Sequence, residues 1–116
     1  MHELGVTKSI VEAVLRHAEA QRAKRVISVH LVIGQMRNLE LEWVQRYFDK
    51  CARETIAEGA VVQIQSIPMA FYCNRCGATF QLPMGQDERM CCTSCSSEDY
   101  DMITGGELLI KSIEIQ

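Results

Sequence analysis

Proline and tryptophan are scarce in this chain, with two prolines and one tryptophan among 116 residues, and aromatic residues make up 6%. With so little proline, helices and strands can run without forced breaks. No apolar run reaches the ~18 residues that suggest a membrane-spanning helix, so no membrane partner is expected. The first 25 residues carry Glu3, Lys8, Glu12, Arg16 and Glu19 inside an amphipathic pattern. A secretory leader would have an uninterrupted apolar core, so a cytoplasmic location is expected. Positive charge is also short: 12 Lys and Arg stand against 15 Asp and Glu, for a net charge of -3. That disfavours nucleic acid, whose phosphates draw on Lys and Arg. No Gly-x4-Gly-Lys-[Ser/Thr] loop is present, so the chain lacks that nucleotide-binding device. No internal repeat or low-complexity segment is evident, and the six methionines are scattered rather than clustered as in a copper carrier.

Cysteine, by contrast, is plentiful: six residues, five of them between positions 73 and 95. In a reducing compartment these are expected as ligands or free thiols rather than disulfides. The pattern is Cys73-Asn-Arg-Cys76, fifteen residues, then Cys92-Thr-Ser-Cys95. Two residues between thiolates let a tight turn aim both sulfurs at one ion, and Gly77 can take the left-handed conformation such a turn favours. Two such knuckles complete a tetrahedron, the pattern of a zinc ribbon. Four thiolates leave no open position on Zn(II), so its expected role is structural. A redox dithiol at Cys73–Cys76 is the competing chemistry. Cys91 has the wrong spacing to Cys95 for the standard knuckle, which makes Cys92 the better ligand. Cys51 falls on an apolar stripe, where a small core residue is expected.

Around this module the periodicities are simple. Ile10, Val11, Val14, Leu15 and Ala18 recur at helical spacing and predict a helix from about Leu4 to Gln21. Ile27, Val29, Leu31 and Ile33 alternate with smaller or polar residues, a strand that Gly34 ends. Asn38 is the expected cap of a second helix, running through Leu41, Val44, Phe48 and Cys51 to about Thr55. Residues 60–67 predict a second strand stopped by Pro68, and 107–115 a third, whose alternation slips around Ser112. The excursion between the last two strands is too small to bury a core without a metal. The expected fold is α+β: a small three-stranded sheet with two helices, plus an inserted zinc-ribbon module. Residues 1–68 with 105–116 form the body and 69–104 the module.

The first three residues, Met-His-Glu, raise a separate possibility. Histidine is too large at position 2 for efficient removal of Met1, so the free amine should sit one residue before the imidazole. The Met1 amine and the His2 backbone nitrogen close a five-membered chelate ring on a divalent metal. That nitrogen and the His2 Nδ1 close a six-membered one. Deprotonating the amide favours Ni(II) or Cu(II) over Zn(II). The fourth donor could be the Glu3 backbone nitrogen, the Glu3 carboxylate, Glu40 or water. Read from these residues alone, an ordinary surface histidine is the competing assignment. His17, at the edge of the first helical stripe, and His30, off the main apolar face of its strand, read as structural or surface residues. Met84 and Met90 are expected to pack around the module. Trp43 lies off the apolar stripe of its helix, where it suits a docking surface or packing against the module.

The segments "MHEL", "SIVEAVL", "VHLVIGQM" and "GGELLIKSIEI", with the two C-x2-C pairs between them, together resemble the HypA/HybF family along essentially the whole chain. These are nickel metallochaperones for maturation of [NiFe]-hydrogenases and, in some organisms, urease. The resemblance implies Ni(II), as transient cargo, at Met1, His2 and Glu3, with Glu40 as an auxiliary donor. It implies Zn(II) on Cys73, Cys76, Cys92 and Cys95. It also implies work with a nickel-handling GTPase, HypB, and with the hydrogenase large subunit, by a non-enzyme acting as a monomer or weak homodimer. The second knuckle, Cys-Thr-Ser-Cys-Ser, departs from the common Cys-Pro-x-Cys followed by Gly or Asn. The alternative is a zinc-ribbon module that binds protein or nucleic acid without transferring nickel.

Overall fold

The computed structural model describes residues 3–81 and 90–116. Helix α1 (Glu3–Ala20) buries Glu3, Thr7, Ile10, Val11, Val14 and Ala18, a single stripe at helical spacing. Strand β1 (Val26–Gly34) follows, with Val29, Leu31 and Ile33 buried, as its alternation predicts, whereas Ile27 is half-buried and Val32, expected on the other face, is buried too. A short 3-10 turn, Gln35–Arg37, leads to helix α2 (Leu41–Cys51). Val44 and Phe48 of α2 are fully buried, and α2 packs against α1. Strand β2 (Val61–Ile67) and the last strand, β6 (Leu108–Ile115), flank β1 in a three-stranded sheet of order β2-β1-β6. In β6 the half-buried residues are Leu108, Ile110, Ile113 and Ile115. Lys111 and Ser112 are exposed between them, so the slip at Ser112 survives as a change of phase.

The start of α2 corrects one expectation. Asn38 does not cap the helix; it sits in the left-handed region at φ 51°. The same short polar side chain that suits a cap also tolerates that conformation. Glu40 is the cap residue, at φ -80° and ψ 102°, and its own side chain makes no capping bond. In a capping box, an acidic residue at the third helical position reaches back to the cap N–H. Here that position is Trp43, which cannot. The carboxylate comes instead from α1: Glu3 Oε2 accepts the Glu40 N–H at 3.1 Å. The helix also ends earlier than its stripe predicts, at Cys51, with Glu54 (φ 62°) and Gly59 (φ 82°) turning the chain towards β2.

The module is itself a sheet, which its irregular sequence did not suggest. Strands β3 (Ala70–Cys73), β4 (Thr79–Gln81) and β5 (Tyr100–Thr104) pair in the order β4-β3-β5, with β3 antiparallel to both neighbours. The chain divides into two units. One takes the chain up to Val32, Asn38–Gln65 and Leu109–Gln116; the other takes Ile33–Arg37 and Ser66–Leu108. Ile33–Arg37 join the second unit through backbone bonds. The Gly34 N–H donates to the Glu107 carbonyl at 2.7 Å, and the Met36 N–H to the Gly105 carbonyl at 2.9 Å. Arg37 Nε adds a bond to the Gly106 carbonyl at 2.9 Å. No helix among the described residues is long and apolar enough to cross a membrane.

Candidate metal centre

The two knuckles are built by the same local bonds. In the first, the Cys73 N–H donates to the Ala78 carbonyl and the Gly77 N–H to the Cys73 carbonyl, at 2.9 and 3.0 Å. In the second, the Cys92 N–H donates to the Ser97 carbonyl and the Ser96 N–H to the Cys92 carbonyl, both at 2.9 Å. Each turn therefore needs a left-handed residue just after its second cysteine. Gly77 (φ 76°) and Ser96 (φ 64°) fill those places. Backbone N–H groups point at the leading sulfurs: Cys76 N lies 3.5 Å from Cys73 Sγ, and Ser94 N lies 3.3 Å from Cys92 Sγ. Such donors stabilise thiolate, the form a metal takes.

The result brings Cys73, Cys76, Cys92 and Cys95 together, all four sulfurs within 4.8 Å of one another. Cys73 and Cys95 are 3.6 Å apart, as are Cys76 and Cys92. Four Zn–S bonds of ~2.3 Å in a tetrahedron require sulfurs about 3.8 Å apart, close to the spacing of these two pairs, so the donor set suits a zinc-sized ion. Cys92, not Cys91, enters the cluster; Cys91 is half-buried beside it. Cys73 and Cys92 are buried, whereas Cys76 and Cys95 are exposed.

Four thiols this close cannot all ionise without a cation. The Cys76 N–H, the largest influence, brings Cys73 down to about 6 despite partial desolvation. The Cys95 N–H likewise lowers Cys92. The Ala78 N–H pulls Cys76 the same way, but desolvation and the neighbouring Cys92 and Cys73 outweigh it, and Cys76 is raised. At Cys95 the lowering N–H of Ser97 is overcome by desolvation and by the three other cysteines, and the thiol is pushed up to about 12. A bound divalent ion would supply the missing positive charge and hold all four as thiolates.

Two sets of residues that spacing alone did not single out support the cluster. Phe71 stacks on Phe80, with ring centroids 5.6 Å apart, and Tyr100 meets both edge-on. These rings pack around the buried Cys73 and Cys92. Asn74 fastens the first knuckle to β5: its Nδ2 reaches carboxylate oxygens of Asp99 and Asp101, both at 3.0 Å, and its N–H donates to the Asp99 carbonyl. Aromatic residues close to both cysteine pairs were the available signal for the first set. The second had none, because Asn74 and Asp99 are 25 positions apart.

At the other candidate site, Met1 and His2 lie outside the described residues, as does Met84 in the module. Glu3 and Glu40 are described, and the bond between them joins them directly. Glu3 is 8% exposed, and one turn further on Thr7 is fully buried with no hydrogen-bond partner for its hydroxyl among the described residues. Met90 is exposed rather than packed, and Cys51 is half-buried.

Fold and site thus define a class: an α+β protein of two helices and small sheets, with four cysteines clustered as in a zinc-binding site. A family model described as hydrogenase/urease nickel incorporation, metallochaperone, HypA matches residues 1–115. The chain belongs to the HypA family of nickel-incorporation metallochaperones. It is 40% identical to the hydrogenase maturation factor HypA of a Nostoc species over 118 aligned residues, covering 100% of this chain and 96% of that protein. Against HypA of Chlorobium phaeobacteroides it is 36% identical over 116 residues, covering all of both chains at 100% and 100%. Against that of Dehalococcoides mccartyi it is 34% identical over 115 residues, with 99% and 94% covered. The fold is also that of the solution structure of the Ni metallochaperone HypA from Helicobacter pylori, at a TM-score of 0.68 and 22% identity, covering 99% and 97% of the chains. A second HypA solution structure gives 0.72 at 23% identity, covering 100% and 97%.

Proposed function

We propose that this protein binds Ni(II) at its amino terminus and delivers it to a maturing [NiFe]-hydrogenase, with a structural Zn(II) on Cys73, Cys76, Cys92 and Cys95. In this reading the Met1 amine, the His2 backbone nitrogen and the His2 Nδ1 provide three nitrogens in one plane. Glu3 supplies a further donor from its backbone or carboxylate, and Glu40 assists. The observation that supports the reading is the bond from the Glu40 N–H to Glu3 Oε2, which brings Glu40 next to the residue that follows Met-His in the sequence. Three donors from two residues at a chain end grip an ion without enclosing it, which suits transfer better than storage.

Nickel handling is assigned to 1–68 with 105–116, and zinc to 69–104. The protein acts in the cytoplasm, as a monomer or weak homodimer, and does no catalysis of its own. Any nucleotide hydrolysis belongs to its partner, the GTPase HypB, and the nickel is destined for the hydrogenase large subunit. The test is a Gly-Ser extension ahead of Met1, which removes the terminal amine from the chelate. Tight nickel binding should be lost while one zinc per chain is retained, as read by metal analysis and X-ray absorption. Unchanged nickel affinity in the extended protein would refute the chelate.

A further inference from the structure

The exposed face of α2 has a composition that the nickel reading does not use. Trp43, Arg46, Tyr47 and Lys50 fall at i, i+3, i+4 and i+7 of α2, one stripe at ~100° per residue, turned away from the buried Val44 and Phe48. Trp43 and Tyr47 stack with centroids 5.7 Å apart and planes at 28°. The Arg46 guanidinium lies over the Trp43 ring, 4.9 Å from its centroid. Trp43 is nevertheless 39% exposed. Two stacked aromatics with an arginine fixed upon them form a preassembled surface of the residue types that dominate binding hot spots.

Its charge identifies the kind of occupant. The chain carries a net -3, yet this stripe holds two cations and no acid. The acids of α2, Glu42 and Asp49, border the stripe on its Arg46 side rather than standing in it, and Gln45 Nε2 donates to Asp49 at 2.8 Å. Among the described residues neither Arg46 nor Lys50 pairs with a carboxylate. Lys50, in the last turn, also complements the helix dipole. That accounts for one lysine and not for an arginine placed over the tryptophan ring in mid-helix. A guanidinium held over a ring face by cation–π attraction spends no N–H donor on that contact, so its donors stay available to a carboxylate.

We infer that the Trp43–Arg46–Tyr47–Lys50 face docks an acidic, amphipathic segment of another protein, with carboxylates on Arg46 and Lys50 and an apolar side chain over Trp43 and Tyr47. Seven residues of helix span ~10 Å, the length of two turns of a facing helix. A nucleic-acid strand would need phosphate contacts continuing beyond the stripe, across a surface that is negative overall. The inference does not depend on nickel, and neither does its test.

Trp43 is the chain's one tryptophan, so its emission reports this face alone. The full-length, zinc-loaded protein is titrated with a synthetic helical peptide of roughly four turns, carrying Leu at i, i+3, i+7 spacing and Glu elsewhere. The same peptide with Lys in place of Glu, and a short oligothymidine, serve as the other arms. The acidic peptide should change Trp43 emission saturably, and the response should weaken with salt. Affinity should fall about tenfold or more in R46E/K50E and less in R46Q/K50Q, both checked for intact helix content by circular dichroism. The lysine peptide should give no response. An absent response, equal response to both peptides, tighter binding of the oligothymidine, or unchanged affinity in R46E/K50E would each overturn the inference.

Discussion

Ser96 and Gly77 do the same job with different chemistry. An added Cβ at Gly77 would meet only the Tyr72 hydroxyl, at 3.7 Å, an ordinary contact. The cost of G77A is therefore conformational rather than steric, about 1–2 kcal/mol for a left-handed alanine. We expect G77A to weaken metal affinity about tenfold by competition with a chelator. S96G should leave it unchanged or slightly raised, because relief at φ 64° is offset by the larger unfolded-state entropy of glycine. Glu3 has a second role besides any metal contact, since its carboxylate replaces the missing capping-box acid of α2. E3A should cost about 1 kcal/mol of stability in nickel-free protein, as measured by urea unfolding. E3Q keeps an acceptor oxygen and should cost much less. Loss of nickel binding in E3A with retention in E3Q would then point to positioning rather than carboxylate ligation.

At the scale of elements, the tightest requirement is where the turn after β1 meets the segment before β6. A Cβ on Gly34 would drive into the carbonyl of Gly105 and approach the Gly106 nitrogen to 2.7 Å. Gly105 itself sits at φ 117°, with the Met69 Cα 2.8 Å from where its own Cβ would be. The Gly34 neighbours are all backbone, and Gly105 meets the Met69 backbone as well as its side chain, so neither site can relax merely by turning a side chain. G34A should destabilise by on the order of 3 kcal/mol, visible as a lowered thermal midpoint and reduced soluble yield. The motifs "VHLVIGQM" and "GGELLIKSIEI" thus have a physical reason: each contains one side of this backbone crossing. The helices and outer strands were legible because their stripes and alternations are local. The α2 cap was not, since it falls on Glu40 instead of Asn38 and its N–H is met by a carboxylate 37 positions away. The three module strands were missed because each is short, three to five residues, too few to display an alternation.

At the scale of the whole molecule, the two units draw on different sources of stability. The first has an apolar core that includes Val14, Val29, Leu31, Val44 and Phe48. In the second, the buried cluster is Phe71, Cys73, Phe80 and Cys92, so two of its four members belong to the four-cysteine group that could hold a metal. A cluster that small is expected to need a bound ion to hold its fold. Chelation should abolish the near-ultraviolet dichroism of Phe71, Phe80 and Tyr100 while leaving most of the helical signal of α1 and α2. Acid should act in the same direction. Cys76 and Cys95 hold their protons in the metal-free protein, with Cys95 at about 12, and binding must displace those protons. Zinc affinity should therefore rise with pH, roughly tenfold per unit for each proton displaced, as read by competition titration.

The sequence by itself determined the two cysteine pairs, the helical stripes and the alternating strands, because each depends on residues within a few positions of one another. Only the tertiary structure decided that Glu3 caps α2, that Gly34 must be bare because Gly105 lies against it, and that Asn74 ties a knuckle to Asp99 and Asp101. Those relations join residues 25 to 71 positions apart, and only the folded backbone brings them into contact.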